Sequence, residues 1–343
     1  MSPAYVHRPR TRRPGRSALY LCSIAAGFVM LAGCDGGPGA PGPDPAAPPV
    51  LLDDLGGRRP FPDDNWWNRS IEHAPVDPGS QAYLQFVGLE RTLHPDFGPP
   101  PYGIPYASVG GEQPRVPVTF TLYGDESDAG APSGVDGYPI PEAAAREANW
   151  IEGGRAGGGD SGDRHLILVD RDRWLLYETW ATRWNASAGR WEAGSGAVFD
   201  LARNGRRPEG WTSADAAGLA IFPGLVKYHE VTGPGDIEHA FRVTVRATNG
   251  YVWPASHRAG STSGALPMGA RLRLKSSVDL SGYPPEVQRI FRAFQRYGLI
   301  VADNGSDLYV QGTMDARWDN DVLNPAFRSL RARDFEVIEL GWR

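Results

Sequence analysis

The stretch Trp174-Leu175-Leu176-Tyr177-Glu178-Thr179-Trp180-Ala181-Thr182-Arg183-Trp184 decides how the chain is read. Its apolar residues do not recur at a helical period. At period two, Trp174, Leu176, Glu178, Trp180, Thr182 and Trp184 fall on one face, as the alternation of a strand requires. Upstream, Val169-Asp170-Arg171-Asp172-Arg173-Trp174 has the composition of a tight hairpin connection, which pairs this strand with His165 to Asp170.

Working outward, strands are expected at Val116 to Tyr123, Arg190 to Leu201, Leu219 to Val226, His239 to Thr248 and Tyr251 to Ala255. Others follow at Arg271 to Ser276, Leu299 to Asp303, Asp307 to Gln311 and Phe335 to Leu340, with an Asn-Gly turn at Asn304-Gly305 joining its two neighbours. Helical periodicity is confined to Gln81 to Leu89, Glu142 to Ala148 and Pro285 to Tyr297, where Val287, Ile290, Phe291 and Phe294 share a face. This predicts a mainly β fold, a β-sandwich or jelly-roll-like domain with a few short peripheral helices. The 43 glycines and 31 prolines of the 343 residues, with 11 tryptophans, speak against coiled coils and helical bundles.

The N-terminus carries a different signal. Arg8, Arg10, Arg12, Arg13 and Arg16 precede an apolar run from Ala18 that ends at Leu31-Ala32-Gly33-Cys34. These residues resemble a bacterial lipoprotein signal peptide: basic segment, short apolar segment, and small residues before a cysteine. The resemblance implies cleavage after Gly33 and a lipid on Cys34, hence a chain anchored to a membrane of the cell envelope and facing the periplasm or exterior. Arg12-Arg13 is followed by Pro14-Gly15 rather than the hydrophobic pair of a twin-arginine signal, and Asp35 leaves the choice of membrane open. Residues 34–50 are dominated by Gly, Pro, Ala and Asp and read as a tether, so a single globular domain is expected over 51–343.

Export changes the charge. Residues 1–33 hold five arginines and no acid, so the mature chain has 30 basic against 40 acidic residues, and nucleic acid is not an expected partner. Of the two cysteines, Cys22 leaves with the signal and Cys34 carries the lipid, which removes disulfides, zinc thiolates and a cysteine nucleophile from the domain. No cofactor and no metal are expected: the acidic runs Asp125 to Asp128 and Asp315 to Asp321 do not have EF-hand spacing, and the histidines lack the i, i+4 pair of a helical zinc site. A monomer is expected.

The chemistry follows from the opening strand. Indoles stack on the apolar faces of sugar rings, and a carboxylate held among them acquires a raised pKa suited to acid–base work at a glycosidic bond. Glu178 is therefore the first candidate catalytic residue, with Trp174, Trp180 and Trp184 as a sugar platform; a core-facing row of indoles with Glu178 hydrogen-bonded in a corner would leave the same pattern. Glycoside hydrolysis needs a second carboxylate, and Asp303 and Asp215, each in a loop beside a strand, are the candidates, although either could be a turn or capping residue. His165, Trp253 and His257 are further candidate substrate contacts. His239 as base, with Tyr228 and Arg242, would serve a polysaccharide lyase. A glycan-binding or structural envelope lipoprotein without catalysis is the third possibility.

Three further segments, Trp253 to His257, Met268 to Lys275 and Tyr297 to Ser306, resemble recurrent text of secreted proteins of GC-rich bacteria. That resemblance implies export and carries no catalytic residue with it.

Overall fold

The computed structural model describes residues 47–129 and 134–343. The segment that resembles a signal peptide, and Cys34, lie outside the described residues. Fourteen strands are described: β1 (Val50–Leu51), β2 (His94–Asp96), β3 (Ala107–Val109), β4 (Val118–Phe120), β5 (Leu166–Asp170), β6 (Leu175–Trp180), β7 (Arg183–Asn185), β8 (Arg190–Ala193), β9 (Ser195–Asp200), β10 (Phe241–Val245), β11 (Arg271–Leu274), β12 (Leu299–Asn304), β13 (Tyr309–Gln311) and β14 (Phe335–Val337). The helices are short: α1 (Ser80–Val87), α2 (Ala143–Arg146), α3 (Tyr228–Thr232), α4 (Pro285–Arg296) and α5 (Asn320–Ser329). The fold is mainly β with a few short helices. None of these helices is long and apolar enough to cross a membrane.

The strands form three mixed sheets, in the orders β1-β3-β5-β6-β9, β14-β11-β12-β10-β13-β2 and β4-β8-β7. The hairpin expected at Val169 to Trp174 is present: β5 and β6 pair antiparallel with Asp170 opposite Leu175. Its turn is held by the Asp170 carboxylate, which accepts from the backbone N–H of Arg173. The amphipathic pattern at Pro285 also becomes a helix, and α4 buries Val287, Ile290, Phe291 and Phe294 beneath β11 in the largest apolar cluster.

Elsewhere the pattern divides. Trp174 stands in the hairpin turn with φ +56°, and Ala181, with φ +53°, ends β6. The alternation therefore stops after Trp180, and Trp184 passes to β7 in the three-stranded sheet. The expected strand Arg190 to Leu201 likewise divides at Gly194 into β8 and β9, which belong to different sheets. Leu219 to Val226 is not a strand but contains a 3-10 turn at Phe222–Gly224, because the buried Glu178 carboxylate takes the backbone N–H groups of Ile221 and Phe222 that a sheet neighbour would otherwise have bonded. Tyr251 to Ala255 contributes only an isolated bridge. Asn304-Gly305 does not close a hairpin between neighbours, since β10 lies between β12 and β13.

Candidate active site

One irregularity in the six-stranded sheet creates the site. Strands β10 and β12 run parallel with Val243 opposite Val301, but the next pair is Thr244 and Asp303, so Ala302 is an extra residue. Its carbonyl is free to accept from the N–H of Ala217, at 3.0 Å. This bond fastens the loop Ser213–Gly218 beside the end of β12. The Ala217 carbonyl in turn accepts from the N–H groups of Ser256 and His257, at 3.0 and 3.3 Å. Asp215, His257 and Asp303 are thus gathered by backbone bonds from three distant parts of the chain.

All three line a cavity of about 620 Å³, together with Trp180 and Tyr123. The two rings lie with centroids 6.3 Å apart, and the Trp180 indole N–H donates to Asp163 at 3.3 Å. Gly194 lets the indole lie close to the backbone, for a Cβ there would stand 2.5 Å from the Trp180 ring.

Asp215 is buried and forms an ion pair with the buried Arg242, whose other guanidinium nitrogen donates to Gln311. Burial raises the Asp215 carboxyl above the usual carboxylate range, while the Arg242 charge opposes that shift. Asp303 is half-buried; burial first, and then the charge of Asp215, push its carboxyl up to about 6. His165 lies behind the cavity, with Nδ1 2.7 Å from Glu152 and Nε2 3.1 Å from the Ala214 carbonyl. A carboxylate and a carbonyl both accept, so this ring is built to carry two protons. Burial lowers its pKa, but Glu152 outweighs that and brings it to about 8.

Several candidate residues stand elsewhere. Glu178 is fully buried and does not line the cavity; both of its oxygens accept from Ile221, at 2.9 and 2.8 Å, and one also accepts from Phe222 at 2.8 Å. It anchors a loop, and burial raises its carboxyl to about 7 against those bonds. Trp174 is buried beneath the Arg58 guanidinium, 3.7 Å from the ring centroid, and Trp184 packs on Trp191 at 5.4 Å. Trp180 alone of the three indoles reaches the cavity. Trp253 packs edge-on against Trp66 at 6.0 Å and is not part of the lining. His239 is buried between the Ala240 carbonyl and the Glu230 carboxylate, Tyr228 packs on Trp318, and Arg242 is committed to Asp215; none of the three residues of the expected lyase set lines this cavity.

Tyr123, Asp163, Arg258 and Asn304 line the cavity without having been singled out from the sequence. Asn304 directly follows Asp303, and that adjacency was the available signal. No match to the chain was found among protein-family models, curated proteins or solved structures.

The buried titratable groups predict a pH dependence of stability. Glu178, raised from 4.5 to about 7, and His165, raised from 6.5 to about 8, keep protons in the folded chain that the unfolded chain has released. Stability from such groups is lost as pH rises through the folded pKa. His94 and His229 have lowered pKa values and act oppositely, but above their ordinary value of 6.5 they are largely neutral in both states. The urea midpoint is therefore expected to fall between about pH 6.5 and 8. Glu178→Gln and His165→Gln should each flatten that slope, and a midpoint that holds level or climbs in the unsubstituted protein contradicts the assignment.

Proposed function

We propose that this protein is a lipid-anchored, extracytoplasmic enzyme that hydrolyses a glycan, with Asp303 as general acid and Asp215 as its carboxylate partner. The observation that carries this reading is that Asp303 and Asp215 are both among the residues lining one cavity, together with Trp180 and Tyr123. It replaces the pairing of Glu178 with Asp303, because Glu178 lies outside that cavity.

The roles follow from the surroundings. Asp303, shifted to about 6, holds a proton in mildly acidic solution and can deliver it to a glycosidic oxygen. Asp215 is held beside a guanidinium, which favours the ionised form, and with its side chain buried it acts on positive charge at the sugar carbon through its own charge rather than by touching water. The indole offers a flat apolar surface to a sugar ring.

The test is a screen of the purified protein against a polysaccharide panel, following reducing ends and ultraviolet absorbance. Reducing ends without absorbance are expected. Activity should fall as pH rises through about 6, as Asp303 loses its proton, and should fall again at lower pH as Asp215 gains one. Absorbance from an unsaturated uronate would instead assign elimination, with His257 as the base within reach. Retention on a glycan column with no product would leave a binding protein, and inertness towards every glycan would end the carbohydrate reading.

A further inference from the structure

His165 is a buried titratable group that the proposed reaction leaves without a task. It is 2% exposed and stands one residue back from the cavity, its Nε2 3.1 Å from the carbonyl of the lining residue Ala214, the neighbour of Asp215. On its other side, Nδ1 lies 2.7 Å from Glu152 Oε2, which also accepts from the His165 backbone N–H at 3.3 Å. The Glu152 N–H donates in return to the His165 carbonyl at 3.0 Å. These bonds fix the ring between a carboxylate and a carbonyl. A carbonyl only accepts, and so does an ionised carboxylate, so both ring nitrogens donate and the ring is an imidazolium.

The charges that face the ring decide whether that form survives burial. Burial and the Arg242 guanidinium oppose it, but Glu152, helped by Asp163 on the approach to β5, outweighs them. Asp215 and Asp303 face the ring from the cavity side, and each is favoured in its ionised form by the charge on it. Two buried cations thus oppose the repulsion between the cavity carboxyls. Arg242 touches Asp215 directly and gives its other nitrogen to Gln311. His165 is hydrogen-bonded to neither carboxyl, and its charge acts past the backbone of Ala214.

We infer that His165 is a positioning residue of this site: held as an imidazolium between Glu152 and the Ala214 carbonyl, it supplies the second buried positive charge that sets the charge of Asp215 and Asp303, without touching the sugar. Its part in catalysis rests on the carbohydrate reading above. Its charge, and the effect of that charge on the acids, do not.

Nuclear magnetic resonance of the purified protein tests both statements, with nitrogen-15 in the histidines and carbon-13 in the aspartate carboxyls. Near neutral pH both His165 ring nitrogens should carry protons, and the ring should lose one only as the pH passes about 8. Glu152→Gln should bring that step to lower pH. His165→Gln keeps a donor for the Ala214 carbonyl, removes the positive charge and leaves that of Glu152 uncompensated. The Asp303 midpoint should then rise from about 6 by about half a unit or more, and the alkaline fall in kcat/KM should move upward with it. A histidine that only filled space would change the urea midpoint and leave the Asp303 titration where it is. A neutral ring near pH 7 in the unsubstituted protein, or an Asp303 midpoint that does not rise in the folded variant, overturns the role of His165 and leaves the hydrolytic reading intact. Titrations that behave as stated in a protein that cleaves no glycan overturn that reading instead and leave the charge network standing.

Discussion

Asp303→Asn is expected to lower kcat on the cleaved glycan by about a hundred- to ten-thousand-fold, the range over which a positioned general acid acts. The amide has the same shape and can still accept from the Asn304 N–H, but it has no proton to give the leaving oxygen. Its effect on the fold should be small and of the opposite sign. Asp303 sits half-buried near the Asp215 charge, and both features disfavour its ionised form. Above pH 6 the neutral amide relieves that repulsion, so the urea midpoint of the variant should equal or exceed that of the unsubstituted protein. The fall in activity near pH 6 should disappear from whatever activity remains. Retention of more than about a third of kcat would exclude Asp303 as the acid.

Arg242→Met should destabilise the fold by about 3–5 kcal/mol near neutral pH, the cost of removing one partner of a buried ion pair. The guanidinium is 1% exposed and lies between Asp215 and Gln311, so its loss leaves a carboxylate with no counter-charge and no water to replace it. Asp215 can escape that penalty by taking up a proton, and the loss should therefore be smaller at pH 5 than at pH 8. Adding Asp215→Asn to Arg242→Met removes the stranded charge and should recover part of the stability. Urea denaturation of the two variants at both pH values checks this; a double variant no more stable than the single one would show that the cost comes from lost packing rather than from electrostatics.

How much of this could be read in advance depends on how local the determining interaction is. The α4 helix was legible because Val287, Ile290, Phe291 and Phe294 repeat at the helical period and need only one apolar surface to cover them. The β5–β6 hairpin was legible because Asp170 and Arg173, three residues apart, close its turn. Strands β1, β2 and β3 were missed: they are two or three residues long, too short for a period to register. The α5 helix was missed as well, its pattern interrupted by Pro325.

The candidate site was legible in part. Asp215, Asp303, Trp180 and His257 were singled out and do share a cavity, whereas Glu178, Trp174 and Trp184 were grouped on one face and do not. That grouping assumed one unbroken strand from Trp174 to Trp184. Two left-handed residues, Trp174 and Ala181, interrupt it, and neither is a glycine or asparagine whose presence would announce such a conformation.

The order of polar and apolar residues along the chain was enough to establish a predominantly β protein with one well-formed amphipathic helix, since strand alternation and helical period arise from backbone geometry within a few residues. Which acids come to line one cavity was decided only by tertiary structure. The Ala302 bulge, the bond from its carbonyl to Ala217 and the burial of Arg242 against Asp215 join segments dozens of residues apart. Burial, not residue type, then separates Glu178, which anchors a loop with no exposed surface, from the half-buried Asp303, which lines a cavity, because the energy of a charge depends on what surrounds it after folding.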